Sequence, residues 1–186
     1  TNPGFLYQQN TVRDALVAGI TLNIFNKHCD RVKMACLAQM VNVLQSVILT
    51  DGEKMLKTPT YHVFHQYRYH QGASLLESSL SGVESIGPDE WKVPELTESV
   101  SEKDGVITAT IANLSVNDTK TLDIVFSGKD SVSVEEATIV TEEIHAYNTF
   151  EENDKVKEVS FSDYQINGDT VVAKIPAGSV VMIRVK

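Results

Sequence analysis

The chain has 186 residues, with 16 Lys and Arg against 25 Asp and Glu, a formal charge of −9. Hydrophobic residues make up 42% and charged residues 22%, which is globular composition and excludes an extended disordered chain. The acidic balance argues against a nucleic-acid binder, and no apolar run reaches the roughly 18 residues that span a bilayer.

The average conceals two halves. Residues 1–71 hold 7 basic and 4 acidic residues, whereas residues 72–186 hold 9 and 21. The first part also holds four of the five His, both Cys and seven of the thirteen aromatics. This asymmetry predicts two structural units meeting near Gly72. The chain opens Thr1-Asn2-Pro3-Gly4, without Met and without a secretory signal, which fits a processed product or a piece of a longer protein.

In chain order, Thr11-Val12-Arg13-Asp14 fits a capping box, and the apolar stretch behind it predicts a helix to about Lys27. Val12, Ala15, Leu16, Gly19 and Ile20 share one face. Val17, Leu22, Ile24 and Phe25 widen the stripe, so neighbours are expected on more than one side. Residues 32–39 follow: Met34, Ala35, Cys36, Leu37 and Ala38 run without alternation and end at Gln39. That pattern predicts a strand buried on both faces, with Cys29 and Cys36 as buried free thiols. A connection of about eighteen residues comes next, long by ordinary standards. Thr58-Pro59 then starts a second helix, ending at Gly72.

The remainder reads as strands. Ile107, Ala109 and Ile111 alternate with Thr; Leu122, Ile124 and Phe126, then Val171, Ala173 and Ile175, then Val181, Ile183 and Val185 repeat the period of two. Asp104-Gly105, Ser127-Gly128, Asn167-Gly168 and Pro176-Ala177-Gly178 punctuate them, and the pattern predicts a β-sandwich.

Candidate chemistry is sparse. His62, His65 and His70 cluster in one helix, but no acid or Cys stands at ligand spacing. We expect packed aromatics with His at the rim and no metal. Asp51 and Glu53 read as a solvated turn around Gly52. Glu135-Glu136, Glu142-Glu143 and Glu151-Glu152 are neighbours that point to opposite faces of a strand, so they cannot converge as a glycosidase pair does. The sequons at Asn113 and Asn117 read as turn residues. Gln39 has two readings: a carboxamide at a strand end, able to donate to and accept from a sugar hydroxyl, or a polar strand end that caps backbone groups.

Several strings carry a family likeness. Asn10-Thr-Val-Arg-Asp14-Ala-Leu-Val-Ala, Asn23-Ile-Phe-Asn-Lys-His28, Asp30-Arg-Val-Lys-Met-Ala35, Leu37-Ala-Gln-Met-Val-Asn-Val43, Thr58-Pro-Thr-Tyr-His-Val-Phe64 and His145-Ala-Tyr-Asn-Thr-Phe150 closely resemble family 51 glycoside hydrolases, the α-L-arabinofuranosidases. The resemblance implies an α/β plus all-β chain: residues 1–71 as the terminal helix-strand-helix of a (β/α)8 barrel, incomplete here, and residues 72–186 as a jelly-roll-like β-sandwich. Residues 32–39 would be barrel strand eight. Family enzymes are retaining, with an acid/base Glu and a nucleophilic Glu at the ends of barrel strands four and seven. Both would lie upstream of Thr1, so this chain alone is expected to be inactive. Gln39 maps to the family Gln that hydrogen-bonds arabinose, and no role transfers to Asn42. The resemblance further implies arabinose-containing oligosaccharides as the partner, no metal or cofactor, homo-oligomers (family members are often hexameric) and a cytoplasmic location. The competing expectation is a structural or carbohydrate-binding sandwich, with Trp91, Tyr147 and Tyr164 as platform candidates.

Overall fold

A computed structural model describes residues 8–186; the opening Thr1-Asn2-Pro3-Gly4 lies outside them. Two helices come first: α1 (Val12–Lys27) and α2 (Pro59–Tyr67), the latter continuing as a single 3-10 turn, Arg68–His70. The expected caps form. The Thr11 N–H and hydroxyl both donate to Asp14 Oδ2, at 2.8 and 2.9 Å. Thr58 Oγ1 accepts from the Tyr61 N–H, and Pro59 occupies the first turn of α2.

Between the helices the expected strand is absent. Residues 32–39 are irregular, and Met34 is 80% exposed. A strand buried on both faces needs a paired strand at each edge, and no described segment supplies one. Cys29 and Cys36 are therefore exposed, not buried. The long connection instead contains a hairpin, β1 (Ile48–Asp51) and β2 (Lys54–Lys57), turning at Gly52 with φ +57°. Asp51 and Glu53 flank that turn in solvent, as expected.

The rest is antiparallel sheet. Its strands are β3 (Ser74–Leu75), β4 (Ser85–Ile86), β5 (Val93–Pro94), β6 (Leu96–Lys103), β7 (Val106–Asn113), β8 (Lys120–Val125), β9 (Val134–Thr141), β10 (Val159–Ser160), β11 (Tyr164–Asn167), β12 (Thr170–Ile175) and β13 (Ser179–Val185). One sheet runs β10-β9-β13-β7-β6-β3, a second β11-β12-β8, and β4-β5 form a separate hairpin. The two larger sheets enclose one core, in which Ile107, Ile111, Val181, Ile183 and Val185 meet Val171, Ala173 and Ile175. The predicted inward residues of β12 and β13 all lie there, with Ile107 and Ile111 of the three predicted for β7.

The helices form a third layer. Ala15 and Leu16 of α1 and Val63 and Tyr67 of α2 pack on Ala112 and Val180, the opposite face of β7 and β13. Gly19 permits this close approach, because a Cβ there would stand 3.1 Å from Val180 Cγ2. β7 and β13 are consequently buried on both faces, although only one face is uniformly apolar. The other face presents Thr108 and Thr110 to the helices, and these hydroxyls need partners. The second side of α1 carries Val17 and Ile24 exposed, at 56% and 48%.

Candidate functional site

His62, His65 and His70 all lie on α2 or the 3-10 turn that continues it. The three do not converge, and the expectation that they sit at the rim needs correction. His62 is buried, and burial, reinforced by Lys57 and His65 and opposed by Glu158 and Asp154, pulls its pKa down to about 4. His70 ends the 3-10 turn, with Nδ1 2.7 Å from Ser101 Oγ and Nε2 3.0 Å from Thr110 Oγ1. Burial holds it at about 4 as well. His65 alone is substantially open, its Nδ1 2.5 Å from Glu158 Oε2. The interior is polar enough to satisfy a histidine, which the spacing of aromatics did not reveal. Among the described residues no three His, Cys, Asp or Glu side chains gather as a metal-binding group.

The carboxylates are committed elsewhere. Glu136 takes the Tyr69 hydroxyl at 2.7 Å and Arg184 Nη1 at 3.1 Å. Arg68 and Arg184 both lie over the Tyr69 ring, 4.1 and 3.8 Å from its centroid, so the cluster ties the end of α2 to the sheet. Glu98 pairs with Lys27 and Ser78, and Glu95 with Lys120. A cleft of about 380 Å³ opens between α1 and residues 80–98, lined by Ile24, Leu80, Val83, Pro94 and the Lys27–Glu98 pair. Lys27 and Glu98 pair with each other there, while Glu84 and Ser85 of the lining are exposed to solvent. The sequon residue Asn113 is buried and donates to the carbonyls of Asp118, Ile175 and Pro176, closing the loop after β7. Of the proposed platform aromatics only Trp91 is exposed, at 76%; Tyr164 packs 6.1 Å from Phe161 against the sandwich core.

One loop stands out. Residues 38–47 fold back against β1: the Gln39 N–H donates to the Val43 carbonyl at 3.1 Å, and the Gln45 N–H to the Ala38 carbonyl at 3.2 Å. Three carboxamides lie in it. Gln45 is tied down by Asn10, Gln8 and Asp14. Asn42 is tied to Thr50. Gln39 is exposed, and among the described residues its side chain makes no hydrogen bond. It retains a donor pair and an acceptor for a ligand. That the other two are committed was not readable from the sequence, because carboxamides carry no periodic signal and their partners are 8 to 37 residues away.

Fold and site together define a helix-backed antiparallel β-sandwich whose exposed loop presents one uncommitted carboxamide. The family described as the alpha-L-arabinofuranosidase C-terminal domain matches residues 1–179. An intracellular exo-alpha-L-arabinofuranosidase of Bacteroides ovatus is 38% identical over 187 residues, covering all of this chain and 36% of that protein. The crystal structure of the GH51 arabinofuranosidase from Xanthomonas axonopodis pv. citri superposes with a TM-score of 0.92 at 40% identity, over all of this chain and 38% of that one. The α-L-arabinofuranosidase of Thermotoga maritima, solved as an arabinose complex, shares the fold with a TM-score of 0.82 at 21% identity, over 99% of this chain and 40% of that one. The chain belongs to the α-L-arabinofuranosidase C-terminal domain family, within glycoside hydrolase family 51. It spans little more than a third of the length of the B. ovatus and X. axonopodis relatives.

Proposed function

We propose that this chain is the C-terminal portion of a retaining exo-acting α-L-arabinofuranosidase that removes terminal non-reducing α-L-arabinofuranosyl residues from arabinan and arabinoxylan oligosaccharides. In this reading residues 1–71 complete a (β/α)8 barrel, with α1 and α2 as its last two helices and residues 32–39 as strand eight. Residues 72–186 are the jelly-roll-like sandwich that buttresses it. The observation that carries the reading is the apolar segment at residues 32–39. Its composition is that of a doubly buried strand, yet Met34 and Cys36 are exposed among the described residues. Exposed apolar surface of this kind marks a face that another segment covers. Val17 and Ile24 on the outer side of α1 are exposed as well.

The two catalytic Glu belong to upstream barrel strands, so the chain alone turns over no substrate. Gln39 then contributes hydrogen bonds to the arabinose ring. The enzyme acts in the cytoplasm, in keeping with the word intracellular in the names of its relatives, and as a homo-oligomer. The test is an assay on an aryl α-L-arabinofuranoside. The isolated chain is expected to be inactive, and the full-length enzyme active. Turnover by the isolated chain at the rate of the full-length enzyme would sink the proposal. In the full-length enzyme, Gln39→Ala is expected to lower kcat/KM by about 10- to 100-fold, the cost of one or two hydrogen bonds to a sugar hydroxyl.

A second reading, carbohydrate binding by the sandwich, has the exposure of Trp91 in its favour. Titration with arabinoxylo-oligosaccharides is expected to leave Trp91 fluorescence unchanged, and a saturable shift would favour this second reading.

A further inference from the structure

The loop that presents Gln39 is registered against β1 at two successive positions. At the first, the contacts are between backbones: the Ile48 N–H donates to the Met40 carbonyl at 3.1 Å, and the Asn42 N–H to the Ile48 carbonyl at 3.0 Å. At the second, two residues further along β1, the contact is made by a side chain. Asn42 Oδ1 accepts the Thr50 N–H at 2.7 Å, and Asn42 Nδ2 donates to Thr50 Oγ1 at 2.8 Å. Both ends of the Asn42 carboxamide are thus held by one residue. Its backbone sits at φ +62°, a region in which Asn is tolerated and most other side chains are strained.

We infer that Asn42 and Thr50 form a clamp that fixes the loop so that Gln39 meets the sugar, making Asn42 a positioning residue and not itself a sugar contact. The inference rests on the reading of Gln39 as the arabinose contact. Two residues, Met40 and Val41, separate Gln39 from Asn42, and the Gln39 N–H is bonded to the carbonyl of Val43, the residue after Asn42. A shift of the clamp is transmitted directly to the Gln39 backbone. A carboxamide bonds a hydroxyl only within a narrow range of distance and angle, so a displacement of a fraction of an ångström weakens the bond. Asn42 also serves the backbone, and the two contributions separate by substitution. Gly accepts the positive φ and removes the clamp. Asp accepts the positive φ and can still take both the Thr50 N–H and the Thr50 hydroxyl proton.

The experiment uses the full-length arabinofuranosidase and p-nitrophenyl α-L-arabinofuranoside. Asn42→Gly, Asn42→Asp and Thr50→Val are each made in the native background and with Gln39→Ala. Asn42→Gly is expected to lower kcat/KM about tenfold, with the same division between kcat and KM as Gln39→Ala. Asn42→Asp should restore activity to within about twofold, and Thr50→Val should lose less than Asn42→Gly because the backbone contact survives. In the Gln39→Ala background Asn42→Gly should change little, since a positioning residue has nothing left to position. An equal loss from Asn42→Gly in both backgrounds, or none in the native one while Gln39→Ala is costly, overturns the clamp and leaves Gln39 standing. A Gln39→Ala enzyme of native activity overturns the Gln39 reading itself, and the clamp's role with it. Circular dichroism of every variant separates these outcomes from misfolding, and Thr50→Val carries the test if Asn42→Gly does not fold.

Discussion

Asn23→Ala is expected to destabilise the chain by about 3 kcal/mol, measured by urea or thermal unfolding at neutral pH. Asn23 sits on α1, buried against β6 and β7. Its Oδ1 lies 2.8 Å from Tyr67 Oη, 2.9 Å from Ser99 Oγ and 3.0 Å from Thr110 Oγ1, and its Nδ2 donates to Thr97 Oγ1 at 3.1 Å. Removing the carboxamide strips a partner from four hydroxyls at once. Three keep a second contact: Tyr67 lies 3.0 Å from the Gly19 carbonyl, and Ser99 and Thr110 lie 3.0 Å apart. Thr97, half-buried at the cleft, loses its side-chain partner, and the buried Tyr67, Ser99 and Thr110 each lose one of theirs, at roughly 1 kcal/mol per bond. Tyr67→Phe deletes one arm only and should cost about 1 kcal/mol. Burial holds the Tyr67 phenol well above its ordinary pKa, so it remains a donor throughout the useful pH range. A loss under about 1 kcal/mol for Asn23→Ala would mean that water replaces the amide and that the helices do not depend on this network.

Acidification from pH 7 to 4 is expected to remove on the order of 5 kcal/mol, through His62 and His70 together. Both fold as neutral imidazoles with pKa about 4, against about 6.5 when unfolded. Between those values the unfolded chain binds more protons than the folded one. Stability therefore rises with pH across that window, is complete above about pH 6.5, and falls progressively toward pH 4. Each histidine contributes on the order of 2–3 kcal/mol, and together they approach the whole stability of a domain this size. Glu136 acts lower on the scale. Burial pushes its carboxyl up, but the Tyr69 hydroxyl, Arg184 and Arg68 outweigh burial and hold it below the usual range, so its contribution is present above the ordinary carboxylate pKa and is lost as pH falls through the depressed one. The check is a series of denaturation midpoints with His70→Gln beside the native chain, together with the imidazole resonances. The variant should show a shallower slope, and both native rings should stay neutral to about pH 4. An unfolding midpoint flat from pH 7 to 4.5 would contradict the assignment.

Much of the sandwich was legible because its inner face obeys a period of two. Ile107 and Ile111, Val171 and Ala173, and Val181, Ile183 and Val185 all lie in the core that joins the sheets. The caps of α1 and α2 were legible for the same local reason: Thr11 with Asp14, and Thr58 with Pro59, act within one turn. β6 escaped notice because its face toward α1 is polar. On that face Thr97 and Ser99 bond to Asn23 and Asn26, and Glu98, on the opposite face, pairs with Lys27, all more than 70 residues earlier. No alternation of apolar residues marks such a strand. The hairpin of β1 and β2 was hidden in what read as loop, although Asp51-Gly52 between short apolar pairs was its available signal. Gln39 was singled out by position and family likeness; that it is the uncommitted carboxamide of its loop emerged from the partners of Asn42 and Gln45.

The sequence by itself determined what depends on neighbours along the chain: caps, turns, the alternation of the sandwich strands, and a family likeness spread over the whole length. Tertiary structure decided what depends on distant partners. It made His62 and His70 interior groups, set Asn23 at the centre of a polar layer, and committed two of three loop carboxamides while leaving Gln39 open. It also left residues 32–39 without the strand that their composition favours. The physical reason is the same in each case. A buried polar group or a strand edge is stable only when matched by another group, and the match is supplied by contacts that sequence spacing does not record.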